Sequence, residues 1–370
     1  MIKRVLQGIG LSLGLLVMLV LWQWRQIRRK RQPAPLASSL IKNPDDTLSL
    51  TRAGDVLTIR WAYPSKRADI YLGDAYQALD QSRPTLSVSN QQMAMIHGIN
   101  PHQRYKVMVE LDDGTLTQTE RVVPLPSAPN FRDIGGYSTK DGRYVRWNKV
   151  YRSSALDQLT EADQRAIHEL GIRLVCDVRT QAEHESDPDH LPDDIPVVSV
   201  PPSSQDNVWV ALGRLLLQEG YLEGLLDDLY QRVMVKNNPQ VFREIFQYMA
   251  DDSQLPMVIH CAAGKDRTGI TIALLLAFLG VPDDVIIADY SLSNHHYSFF
   301  KEATRKNLAQ LRIMGLTESD FDYLLIADGD VMQATLDKIR EEYGSIEGYL
   351  TQYVGLSEAT LAQVRQNLLV

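Results

Sequence analysis

The apolar positions of this chain change their spacing twice. Residues 5–24 carry no charge at all, and as a helix they would extend about 30 Å, the thickness of a bilayer core. Residues 45–125 alternate instead: Leu57, Ile59 and Trp61 are interleaved with Thr58 and Arg60, Ile70 and Leu72 repeat the pattern, and Tyr105, Val107, Val109 and Leu111 continue it. Period two predicts strands with one buried face. The last of these ends at the turn Asp112-Asp113-Gly114, and the strand after it is expected to run to Pro124. From residue 126 the spacing switches again. Short apolar runs at 174–178, 197–200 and 257–259 read as buried strands, while 161–170 and 221–235 carry helical spacing. An uninterrupted apolar helix is expected at 270–279, closed by Gly280 and Pro282.

The pattern therefore predicts a membrane anchor with a basic flank at 1–32, a linker rich in Pro, Ala and Ser, a small all-β sandwich at 40–125, and an α/β domain at 126–370. A cleaved signal peptide is the rival reading of 5–24, but its apolar region would be shorter, and no A-x-A site follows. The expectation is a single-pass N-terminal anchor in a membrane. Arg25, Arg28, Arg29, Lys30 and Arg31 outnumber Lys3 and Arg4, which by charge alone keeps the bulk of the protein cytoplasmic, although a short first span can also send it outward.

Length and composition narrow the chemistry. The 370 residues, 44% of them apolar, suffice for two cores. Beyond residue 32 there are 31 basic residues against 46 acidic ones, a formal charge of −15, which excludes nucleic acid as a partner. Two cysteines, Cys176 and Cys261, are too few for a disulfide framework or a structural zinc site. Cys176 ends a strand expected beside the one feeding Cys261, so either the two sulfurs come within disulfide reach or Cys176 is a core residue.

The predicted strand at 257–259 leads into HCAAGKDRTG, residues 260–269, and then into the apolar helix. Taken alone, a Cys followed six residues later by an Arg means little. Between a strand and a helix N-terminus it is a cradle for one phosphate: the amides of Ala262, Ala263, Gly264 and Lys265 and the helix dipole face the anion. The same field stabilises a thiolate at Cys261, the form in which sulfur is a nucleophile. Arg267 offers a planar fork for two phosphate oxygens, Thr268 a hydroxyl for the departing sulfur, and His260 orients the loop. A Walker A loop is excluded, because Ile259 stands where its first Gly belongs and Asp266, not Ser or Thr, follows Lys265.

These residues resemble the cysteine-dependent protein tyrosine phosphatase superfamily, and more closely its bacterial tyrosine/serine phosphatase branch. NFRDIGGY (130–137), YRSSALDQLT (151–160), CDVRTQAEHE (176–185), DYSLSN (289–294) and the closing YGSIEGYLTQYVGLSEATLAQVRQNLL resemble that branch in order. The resemblance implies an α/β fold with a central sheet flanked by helices, and hydrolysis of phosphotyrosine, or of phosphoserine and phosphothreonine, through a phosphocysteine without metal or other cofactor. It leaves a phosphoinositide phosphatase and an inactive phosphate-binding adaptor as alternatives, so the implied partner is a phosphoprotein or a phosphoinositide. The Trp-Pro-Asp tripeptide of conventional members is missing, and the resemblance moves the general acid to Asp266, with Asp206 as the fallback. Arg132 and Asp133 either frame the substrate pocket or form a structural clamp. His295 and His296 lack further ligands at metal spacing and read as surface or core residues. In the β unit, INPHQRYKVMV resembles the tyrosine corner of a fibronectin type III domain, with Trp61 as its core Trp.

Overall fold

The computed structural model describes residues 37–45, 47–100, 102–202, 229–302 and 322–370. The seven N-terminal strands are β1 (Leu48–Ala53), β2 (Val56–Trp61), β3 (Arg67–Asp74), β4 (Leu86–Ser89), β5 (Met93–His97), β6 (Tyr105–Leu111) and β7 (Gly114–Thr119). They pair as two antiparallel sheets, β1-β2-β5 and β4-β3-β6-β7. Leu57, Ile59, Trp61, Ile70, Val107 and Val109, the alternating positions of the sequence, share one buried core. The Tyr105 hydroxyl accepts the Asn100 N–H at 3.0 Å, tying the start of β6 to its preceding loop.

β7 stops at Thr119 rather than near Pro124, because the chain leaves the sandwich to pair elsewhere. Val123 N–H donates to Phe131 and Asp133 N–H to Arg121, joining this exit segment to the strand β8 (Arg132–Asp133). Two buried arginines seal the junction. Arg104 reaches Asp133 at 3.0 Å and the Asn148 side chain at 2.8 Å, while Arg121 donates to the Gly135 carbonyl at 2.6 Å and lies 3.8 Å from the Tyr137 ring centroid.

The second unit adds β9 (Val150–Ser153), β10 (Leu174–Asp177), β11 (Val197–Ser199) and β12 (Met257–His260), in the order β11-β10-β12-β9-β8. β9 to β12 run parallel, and β8 pairs antiparallel with β9. All four residues of each of β9, β10 and β12 are buried, as expected where helices cover both faces of a sheet. The principal helices are α1 (Glu161–Glu169), α2 (Gln181–Ser186), α3 (Pro239–Ala250), α4 (Arg267–Leu279), α5 (Asp283–Ser291), α6 (Gly329–Tyr343) and α7 (Glu358–Leu368). α4 is the apolar helix expected after the loop. Of the helix expected at 221–235, the described part is a π-helical stretch, Leu229–Lys236.

The expected single-pass membrane localisation is corrected here. No helix among the described residues is long and apolar enough to cross a membrane. The most apolar, α4, has 13 residues, about 20 Å of rise against a bilayer core of about 30 Å, and its apolar surface is used inside the protein core. The stretch 5–24 on which the anchor and the membrane partner rested lies outside the described residues.

Candidate active site

β12 is the central strand, and its C-terminal end delivers Cys261 to the mouth of the sheet, buried at 2% exposure. The loop that follows is held by its carbonyls. Ala262 C=O accepts the Ala155 N–H at 3.1 Å, the Asn130 side-chain amide donates to Ala263 C=O and Gly264 C=O at 3.1 Å each, and Arg152 donates to Gly264 C=O at 2.7 Å. With these acceptors turned outward, no backbone N–H from Ala262 to Arg267 has a partner among the described residues. These six amides lie just before the first turn of α4, at the place where the sequence leads one to expect an anion cradle. Gly264 is required there: its φ is +63°, and a Cβ would lie 2.2 Å from the Ser153 carbonyl oxygen.

Arg267 opens α4, and its guanidinium makes a two-pronged bridge to Glu183, at 2.6 and 2.8 Å. Burial alone would push the Glu183 carboxyl up, but the hydrogen bonds and charge of Arg267 outweigh it and hold the group at about 2. Glu183 is also the third residue of α2. Its carboxylate accepts from the Thr180 N–H and hydroxyl, and its own N–H donates back to Thr180 Oγ1, a capping box that fixes where the carboxylate stands. Glu183 is absent from the residues singled out in the sequence. Its signal was the Thr180-x-x-Glu183 spacing inside CDVRTQAEHE. Thr268, on the first turn of α4, keeps a buried hydroxyl with no hydrogen-bond partner among the described residues.

Asp266 stands beside the cradle with its side chain 28% exposed. Lys265 does not face the cradle. It is 2% exposed and its ammonium donates to Asp266 at 2.7 Å and to the Ile326 carbonyl at 3.1 Å. His260 is fully buried, its Nε2 3.0 Å from Asp189, within a network in which Arg179 bridges Asp177 and Asp189 at 2.8 and 2.9 Å. Asp177, His184 and Asp189 are close enough together to hold a cation, but the Arg179 guanidinium already supplies the positive charge there.

Arg132 and Asp133 are both buried and turn to different partners, as in a structural clamp. Arg132 lies behind the loop, donating to Asp289 at 3.1 Å and to the Asn130 side-chain oxygen, so it steadies the amide that grips the loop. Asp133 belongs to the junction with the sandwich, where Arg104 and the Asn148 N–H hold it. Cys176 pairs in register with Ile259, one strand over and two residues short of Cys261. That diagonal is about 7–8 Å, past the roughly 7 Å limit for a disulfide, and both cysteines are free. Cys176 is a core cysteine, its thiol pushed up by burial. His295 and His296 sit on the short helix Leu292–His296, and burial lowers both, His296 to about 4. Asp206, the fallback acid, lies outside the described residues.

A strand, a seven-residue Cys-to-Arg loop with amides left unpaired among the described residues, and a helix make this the candidate site of a cysteine-dependent phosphatase. Residues 123–370 match the tyrosine phosphatase family, and the chain belongs to it. It is similar to the triple specificity protein phosphatase PtpB of Mycobacterium tuberculosis, 29% identical over 277 residues that cover 66% of this chain and 98% of that protein. It is likewise similar to a tyrosine-protein phosphatase of Nostoc commune, 29% identical over 59% of this chain and 73% of that one.

Proposed function

We propose that this enzyme hydrolyses phosphotyrosine in protein substrates through a phosphocysteine on Cys261. The observation that carries this reading is the row of unpaired amides from Ala262 to Arg267 above a buried cysteine, with Arg267 oriented by Glu183. The Cys261 sulfur attacks phosphorus, the S–P bond forms, the P–O bond breaks, and its electron pair stays on the departing phenolic oxygen. That oxygen takes the proton of Asp266. Water then attacks phosphorus, giving a proton to the Asp266 carboxylate, and the S–P bond breaks to return the thiolate and free phosphate. The loop amides and Arg267 hold the equatorial oxygens through both steps, where charge builds up. Thr268 donates its free hydroxyl to the leaving sulfur. Phosphoinositides are the less favoured substrates, since Lys265, the second cation of the loop, is spent on Asp266 and the Ile326 carbonyl.

For residues 40–125 we infer a fibronectin type III-like module joined to a catalytic unit at 126–370. The strand order β1-β2-β5 against β4-β3-β6-β7 and the Tyr105 hydroxyl bonded to Asn100 support it. A hydrolysis panel of phosphotyrosine, phosphoserine and phosphoinositide substrates tests the assignment. Phosphotyrosine peptides should lead, and a preference for phosphoinositides that Lys265→Ala abolishes would reverse it.

A further inference from the structure

Among the described residues, the carboxylate of Asp266 is gripped at one oxygen only. Lys265 Nζ donates to Oδ1 at 2.7 Å, and the Tyr230 hydroxyl donates to the same atom at 2.5 Å. Having given its single proton to Asp266, that hydroxyl is an acceptor toward Tyr290, whose oxygen lies 2.6 Å away. The relay thus has one direction, from Tyr290 to Tyr230 to Asp266. Both phenols are buried, and their rings cross edge to face at 82° with centroids 6.5 Å apart. Tyr290 backs onto Gly269 of α4, where a Cβ would come within 3.1 Å of its ring. Burial above all drives both phenols well above their usual range, so each remains a donor throughout the working pH of a protein.

We propose that Tyr230 is a positioning residue for proton transfer: together with Lys265 it saturates Oδ1 of Asp266 and leaves Oδ2 as the oxygen that trades the proton with the leaving group and the attacking water. The inference rests on Asp266 being the general acid. Its physical basis is that the terminal torsion of an Asp side chain is broad, so an unclamped carboxylate presents either oxygen over a range of angles. Two donors fixed to one oxygen remove that freedom, and proton transfer is sensitive to such placement. Lys265 then serves the acid and not a second phosphate, which also explains why a cation in the substrate loop is turned away from substrate.

The test uses the full chain with two substrates, a phosphotyrosine peptide and p-nitrophenyl phosphate, whose leaving group needs little protonation. Tyr230→Phe keeps the ring and deletes only the hydroxyl. It should lower kcat for the peptide by about tenfold more than for p-nitrophenyl phosphate, with KM for both within about twofold. Lys265→Met, which preserves the buried hydrocarbon, should move the same ratio in the same direction. Asp266→Asn should move it further, and adding Tyr230→Phe to Asp266→Asn should cost nothing more, since the hydroxyl would act only through the carboxylate. Equal loss on the two substrates, no loss, or additive losses in the double variant would each overturn the positioning role. An unchanged ratio in Asp266→Asn would instead overturn the acid assignment itself, so the two failures are distinguishable.

Discussion

The loop that holds Cys261 has arginines on both sides, and the two sides use them differently. In front, Arg267 meets one partly exposed carboxylate, Glu183, at a place where a substrate phosphate can reach the guanidinium. Behind, Arg132 and Arg152 share the single carboxylate of Asp289, with all three side chains at 1–2% exposure. Burial pushes Asp289 up, yet the two guanidiniums hold it far below the usual carboxylate range. Two cations against one anion leave a buried positive charge directly behind the loop, and Arg152 delivers part of it to the Gly264 carbonyl at 2.7 Å. On the proposed reading the rear pair sets loop shape and adds positive field where a phosphate would sit, while the front arginine handles substrate.

Breaking the front should silence the enzyme without unfolding it. Arg267→Lys keeps the charge but loses the fork, and kcat for p-nitrophenyl phosphate should fall about a thousandfold while the thermal midpoint moves by only a few degrees. Breaking the rear should do the reverse. Asp289→Asn leaves two buried guanidiniums without a counter-charge, a loss of about 3–5 kcal/mol that a denaturant titration would read as a lowered midpoint. A stable, active Asp289→Asn protein would contradict the division of labour.

Glu183→Gln sharpens the contrast by releasing Arg267 without deleting it. Steady-state kinetics should show a drop in kcat/KM of about tenfold, most of it in KM, because the guanidinium loses its orientation before substrate arrives. The same variant changes acid behaviour in a defined window. With its folded value held at about 2 against an ordinary value of 4.5, Glu183 contributes stability that is fully present above 4.5 and is lost as pH falls toward 2. The variant should therefore show a flatter stability curve between those pH values than the parent. Arg104→Met, at the junction with the sandwich, leaves Asp133 buried with only N–H partners. It should lower the unfolding midpoint and leave the substrate preference of the folded protein as it was.

The contrast between front and rear also marks what the sequence discloses. The strand, loop and helix around Cys261 are contiguous, so their spacing was enough to place the strand β12, the loop and the helix that follows. The alternation named within residues 45–125 likewise marked β2, β3 and β6 and most of their buried positions, whereas β1, β4 and β5 were not singled out. What escaped were partnerships between distant segments. Glu183 meets Arg267 across 84 residues, Tyr230 meets Asp266 across 36, and Arg104 claims Asp133 from the other unit. Adjacent residues can diverge in the same way: Arg132 and Asp133 alternate across a strand, so one faces the rear of the loop and the other the junction. Lys265 belongs with these: its place in the loop offers an amide, but its side chain spends its charge on Asp266 and on the Ile326 carbonyl, 61 residues on.

The central claim is that phosphate passes through Cys261, and rapid acid quenching during turnover of p-nitrophenyl phosphate tests it most directly. Peptide mass analysis of the quenched protein should find one phosphoryl group on the fragment carrying Cys261, and none on the corresponding fragment of Cys261→Ser, whose turnover should be under about a thousandth of the parent. A phosphoryl group on any other side chain, or turnover retained by Cys261→Ser, would contradict the account.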